Sequence, residues 1–196
     1  MLRDALREQT RAQHARLEQR LAIEQRVRDR DAYVELLGRF HGFYKPFETR
    51  LLTFARAFHE HGVMLSERMK TALLERDLHA LGESEFELAD STFLPSIATF
   101  PRAVGCLYVM EGSTLGGQVI VRHVHGALGL GAADGAAFFA SYGPRTGAMW
   151  QSFLRFLNAL PFDAHDAGQA VSAACETFES LERWLCDQPM GVAVGA

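Results

Sequence analysis

Apolar residues recur at helical spacing along almost the whole chain, and no run alternates apolar with polar as a half-buried strand must. That pattern restricts the fold class to all-α. In the first segment Leu2, Leu6, Leu17 and Leu21 share a stripe, with Arg, Glu and Gln elsewhere. A second helix is expected from Asp31 as N-cap to about His59, with Tyr33, Leu37, Phe40, Phe43, Tyr44, Phe47 and Leu51 inward. Pro46 lacks a backbone donor and crowds the preceding turn, so it should kink or split that helix. Ser66 opens a third helix that Gly82 ends, and residues 91–99 are expected to be irregular. Pro101 suits the first residue of another helix, continuing through Glu111 to Leu128, with 126–135 a loop or frayed end. Arg145–Leu160 and Asp166–Asp187 complete the set. Residues 1–188 are thus expected to form a single helical domain, and 189–196 a disordered tail.

A chain of 196 residues, 48% hydrophobic, can bury a core and still leave a cavity. Its formal net charge of −4 offers no electrostatic reason to expect nucleic acid or an anionic membrane as partner. The charged N-terminus does not resemble a signal peptide, and no uninterrupted apolar run approaches the roughly 18 residues of a membrane span. Cys106, Cys175 and Cys186 are odd in number and widely spaced, as suits free thiols. A cytoplasmic location is expected.

Two constellations carry chemistry. His14 falls within roughly 20° of Leu21 and 60° of Leu17 on a helical wheel. A neutral imidazole on that face satisfies one nitrogen with a hydrogen bond and offers the other to a metal. Taken alone, it is more often a core histidine paired with a neighbour such as Glu18. The second constellation is Gly112, Gly116 and Gly117 in a segment that otherwise reads as helix. Interior glycines cost about 0.8–1 kcal/mol each relative to alanine, so something must offset them. Close helix packing, a loop, or a flat ligand lying against the Gly112/Gly116 strip would each do so. A phosphate loop would need Lys-Ser/Thr where Gln118 stands, and Gly-Ser-Thr-Leu-Gly misplaces serine for a nucleophile elbow.

The stretches Thr10-Arg-Ala-Gln-His14-Ala-Arg-Leu-Glu18 and Leu107-Tyr-Val-Met-Glu-Gly-Ser-Thr-Leu-Gly-Gly-Gln118, in that order and separation, resemble the haem oxygenase family. The second is similar to bacterial members, including those that supply biliverdin to bacterial phytochromes. The resemblance implies a helical bundle holding haem b, both cofactor and substrate, between a proximal helix carrying His14 and a distal helix. Glu18 matches the carboxylate one turn after the ligand. Gly112, Gly116 and Gly117 match the distal strip, with Gly112, Ser113 and Gly116 beside the reacting oxygen. Ser113 stands where mammalian-type members carry an aspartate, so Ser113, Thr114 or backbone groups alone hold the distal waters, the alternative for both hydroxyls being a bond back to the preceding turn. Arg3, Arg7, Arg11, Tyr108, Arg145 and Arg155 are candidate propionate anchors. The implied reaction opens haem at a meso carbon with O2 to give biliverdin, CO and ferrous iron. No dinucleotide loop is present, so electrons are expected from an external ferredoxin, flavodoxin or NAD(P)H-linked reductase.

Rival readings are a haem carrier or sensor with this fold and no turnover, and a plain helical interaction module. A di-iron bundle needs glutamate three residues before histidine, and no histidine here has one. The His59/His61 and His123/His125 pairs read as surface or structural.

Overall fold

The computed structural model describes residues 1–83 and 89–187, so the expected tail at 189–196 lies outside the described residues. The helices are α1 (Leu2–Gln9), α2 (Arg11–Leu21), α3 (Ile23–Arg26), α4 (Arg30–Leu52), α5 (Ala55–Glu60), α6 (Thr71–Ala80), α7 (Phe100–Leu128), α8 (Ala137–Ala140), α9 (Thr146–Ala159) and α10 (Ala164–Glu182). No strand occurs among the described residues.

α7 runs 29 residues without interruption through all its glycines and forms the spine of the bundle. It passes so close to α10 that a Cβ on Gly105 would lie 1.9 Å from the Ala170 carbonyl oxygen. α7 is long and apolar enough to cross a membrane, but half of its most apolar stretch is buried inside the bundle. Tyr33, Phe43, Phe47, Phe58, Phe153 and Leu107 are fully buried around it.

Several boundaries differ from the sequence expectation, for physical reasons. The first helical segment divides at Thr10, whose hydroxyl donates to the Leu6 carbonyl at 2.7 Å. Asp31 lies inside α4; the N-cap is Asp29, whose side chain accepts from the Ala32 amide at 2.8 Å. Pro46 neither splits nor ends α4. The Gly42 carbonyl, four residues before it, accepts instead from the Ser91 amide at 2.8 Å. The chain after residue 89 therefore docks on α4, and Gly42 leaves it room, since a Cβ there would meet the Ala89 oxygen at 2.3 Å.

Distant carboxylates set two further starts. Residues 65–68 form a short 3-10 turn, and α6 begins at Thr71, not Ser66. Glu48 of α4 accepts from the Lys70 amide at 2.5 Å and the Thr71 amide at 3.1 Å, satisfying donors that open α6. Asp77 of α6 likewise accepts from the Ala137 and Phe138 amides, both at 2.7 Å, and so opens α8. Gly82 and Gly129, with φ of 86° and 72°, terminate α6 and α7 as left-handed caps. Asp163 caps α10 by accepting from the Asp166 amide at 2.8 Å, so this helix starts before the expected Asp166.

Candidate active-site cleft

A cleft of about 1050 Å³ opens between α1–α2 and the middle of α7. Phe40 and Tyr44 of α4, Phe138 and Phe139 of α8, and Phe178 and Leu181 of α10 contribute to its walls. That volume and aromatic lining suit a large flat ligand.

His14 reaches the cleft from α2 and is half-exposed, at 53%. Its Nδ1 lies 3.5 Å from a Glu18 carboxylate oxygen, and its ring packs T-shaped with Phe178, the ring centres 5.5 Å apart. Nε2 has no protein partner among the described residues. His14 is thus a cleft-facing imidazole with one nitrogen oriented and the other open, the arrangement of a metal-ligating histidine.

The three glycines divide. A Cβ on Gly112 or Gly116 would meet nothing within 4 Å, and both residues line the cleft. A Cβ on Gly117 would lie 2.2 Å from the Phe139 carbonyl oxygen. Close packing therefore explains Gly117, which also borders the cleft, while Gly112 and Gly116 form a bare strip of α7 open to it. Gln118 adds a hydrogen bond to the Ala140 carbonyl at 3.2 Å, fastening α7 to α8.

Both distal hydroxyls bond back to the preceding turn: Ser113 to the Met110 carbonyl at 2.8 Å and Thr114 to the Glu111 carbonyl at 2.7 Å. Ser113 still lines the cleft, as does Tyr44. Arg3, Arg7 and Arg11 border the cleft from α1–α2, with Tyr108 beside them. Burial pushes the Tyr108 phenol up, against the pull of Arg7, Thr10 and Arg3. Arg145 and Arg155 are not among the lining residues.

Sequence reasoning missed a buried charged cluster behind α7. The Glu111 carboxylate, 1% exposed, pairs with Arg68 and accepts from the Tyr142 hydroxyl at 2.5 Å. Burial pushes this carboxyl up, while Arg68, Tyr142 and Lys70 pull it back. Lys70 lines the cleft with its ammonium 3.4 Å from the centre of the Tyr142 ring. The available signal was a single carboxylate in the apolar run Val109-Met-Glu-Gly112; its partners come from distant segments.

These features define an all-helical protein with a large cleft between a histidine-bearing helix and a helix bared by glycines. The family model described as heme oxygenase matches residues 1–187, and the chain belongs to the heme oxygenase family. A heme oxygenase of Xanthomonas campestris pv. campestris (strain 8004) is 33% identical over 94 residues; the match spans 48% of this chain and 53% of that relative, about half of each. Among solved structures, heme oxygenase from Neisseria meningitidis aligns with a TM-score of 0.79 at 20% identity, covering 100% of this chain and 98% of that one. Heme oxygenase from Leptospira interrogans gives a TM-score of 0.78 at 18% identity, covering 95% of this chain and 99% of the other. Heme oxygenase-1 from the cyanobacterium Synechocystis sp. PCC6803 gives 0.72 at 22%, covering 95% and 91%. At these identities the three structures establish a shared fold.

Proposed function

We propose that this chain is a haem oxygenase, binding haem b in the cleft and opening it at a meso carbon to biliverdin, CO and ferrous iron. The observation that carries the reading is the pairing, in one cleft, of His14 with its open Nε2 and the bare Gly112/Gly116 strip. A side chain at either glycine would occupy the space a flat macrocycle needs. A single open imidazole suits an iron whose remaining ligands would come with the macrocycle rather than from the protein.

Bound haem supplies both the iron at which O2 is reduced and the ring that is cleaved. The protein groups bind, orient and exclude. His14 Nε2 would hold the iron, and Glu18 at Nδ1 orients the ring. Arg3, Arg7, Arg11 and Tyr108 form the polar edge that pairs the propionates. Gly112 and Gly116 keep the oxygen face clear, with Ser113 at its margin, and Phe138 and Phe139 exclude bulk water. Electrons come from an external ferredoxin, flavodoxin or NAD(P)H-linked reductase in the cytoplasm, and a bacterial phytochrome is a fitting acceptor of the biliverdin.

The test is an absorption spectrum with one equivalent of haemin, followed by ascorbate in air. Decay of the Soret band with growth of a red biliverdin band is expected. His14→Ala should abolish normal turnover, and Gly116→Phe should reduce it. A stable Soret band would instead mark a carrier or sensor, and no haem spectrum would overturn haem binding altogether.

A further inference from the structure

Lys70 stands out among the groups left unused by that account. It is only 4% exposed and yet lines the cleft. Lysines are rarely buried unless paired, but this ammonium makes no hydrogen bond or ion pair with a described residue, and its contact is the face of Tyr142. The carboxylates around it are already occupied. Glu48 of α4 accepts from the Lys70 and Thr71 amides and from the Thr71 hydroxyl at 2.6 Å. Glu111 of α7 is held by Arg68 and the Tyr142 hydroxyl. No described carboxylate therefore takes the ammonium protons.

A second orphan lines the same cleft. The Ser141 hydroxyl oxygen is buried without a hydrogen-bond partner, and its residue is held at φ 52°, an uncommon backbone conformation for a residue other than glycine. Buried polar atoms beside a roomy cavity are satisfied by water. Tyr44 and Ser113, also in the lining, add two further hydroxyls.

We propose that Lys70 delivers protons to the oxygen chemistry of the cleft, through water held at Ser141. This rests on the haem oxygenase reading above. In the step, an Nζ–H bond breaks and its proton passes to a cleft water, which gives up one of its own protons to the reduced oxygen. The neutral amine then recovers a proton from solvent water at the cleft mouth, and no electron moves at Lys70. Burial pushes the ammonium down to about 8, against the pull of Glu111 and Glu48 and with the help of Arg68. A donor with its pKa near the working pH transfers protons most effectively.

The experiment compares wild type, Lys70→Met and Lys70→Arg for haemin affinity, rate of biliverdin formation against pH, and solvent deuterium isotope effect. Wild type should lose rate as pH rises through about 8, as the ammonium empties. Both variants should bind haemin within about 3-fold of wild type and turn over about 100-fold more slowly, without that alkaline limb. Lys70→Arg should not rescue, because guanidinium keeps its proton. A wild-type profile flat through pH 8, or restoration by arginine, would overturn the assignment. So would a 10-fold loss of haemin affinity in Lys70→Met that arginine repairs, which would make Lys70 a propionate anchor. Failure of wild type to cleave haem would strike the functional reading itself; a competent wild type with indifferent variants would strike this inference alone.

Discussion

Arg68 and Glu111 form the kind of contact whose removal costs far more than its presence contributes. Both are at most 4% exposed, so truncating one leaves the other's charge or donors buried without compensation. Arg68→Met is expected to destabilise the protein by about 3–5 kcal/mol in urea unfolding, with Glu111→Leu in the Arg68→Met background recovering much of the loss. A single-variant loss under about 1 kcal/mol would show that the pair is solvated. Lys70 has the opposite sign. Its folded-state pKa of about 8 lies below the ordinary 10.5, so the unfolded chain binds more protons between those values. Stability associated with this group is present above pH 10.5 and is lost as pH falls through 8. Lys70→Met should therefore be the more stable protein at pH 7, by on the order of 3 kcal/mol, and the difference should close by about pH 10.5. Paired unfolding curves across that range decide it, and a difference independent of pH would show that the ammonium is not penalised by burial.

Among the elements, α7 shows how the same residue type serves opposite ends. Gly105 and Gly117 are bare because backbone from α10 and α8 occupies the space, whereas Gly112 and Gly116 are bare with nothing opposite. In the ligand-free protein Gly105→Ala should cost about 1–3 kcal/mol through overpacking. Gly112→Ala and Gly116→Ala should each add about 0.5–1 kcal/mol of stability through helix propensity while weakening haemin binding. Urea midpoints and haemin titrations on the same variants test both halves, and destabilisation by Gly116→Ala would refute an open strip. Helical spacing made α4, α7, α9 and α10 legible in the sequence, because each carries its own apolar stripe and most carry a local cap. The start of α6 and the whole of α8 were not legible, because Glu48 and Asp77 satisfy their opening amides from other helices. The site divides the same way. His14 and the glycines announce themselves by residue type in an unsuitable place, whereas Lys70, Arg68 and Tyr142 look like ordinary surface residues until the fold gathers them.

Across the whole molecule, the two sides of the cleft are built to different strengths. The α7 side belongs to the core through α8, α9 and α10. On the other side, Leu6 and Leu21 are the buried hydrophobics of α1, α2 and α3, and α3 buries no residue. What ties α2 down is Glu182 of α10, which accepts from Arg16 at 2.6 Å and Arg20 at 2.8 Å. Burial pushes the Glu182 carboxyl up, but these arginines outweigh it and hold it below the usual range. Segments with few buried apolar contacts open locally at low free energy, so residues 2–26 should exchange amide hydrogens faster than α7 and α10 in the ligand-free protein. Glu182→Gln should speed exchange in α2 and leave α7 unchanged. A ligand bound only by the native state stabilises it by about 2.7 kcal/mol at one hundred times its Kd. For a chain of this size that corresponds to a rise in Tm of about 5–10 °C. Because His14 lies on the weaker side, the same haemin should slow exchange most in residues 11–21, and His14→Ala should lose that local protection. Uniform protection across the bundle, or protection of residues 11–21 that survives His14→Ala, would show that α2 is not the element the ligand completes.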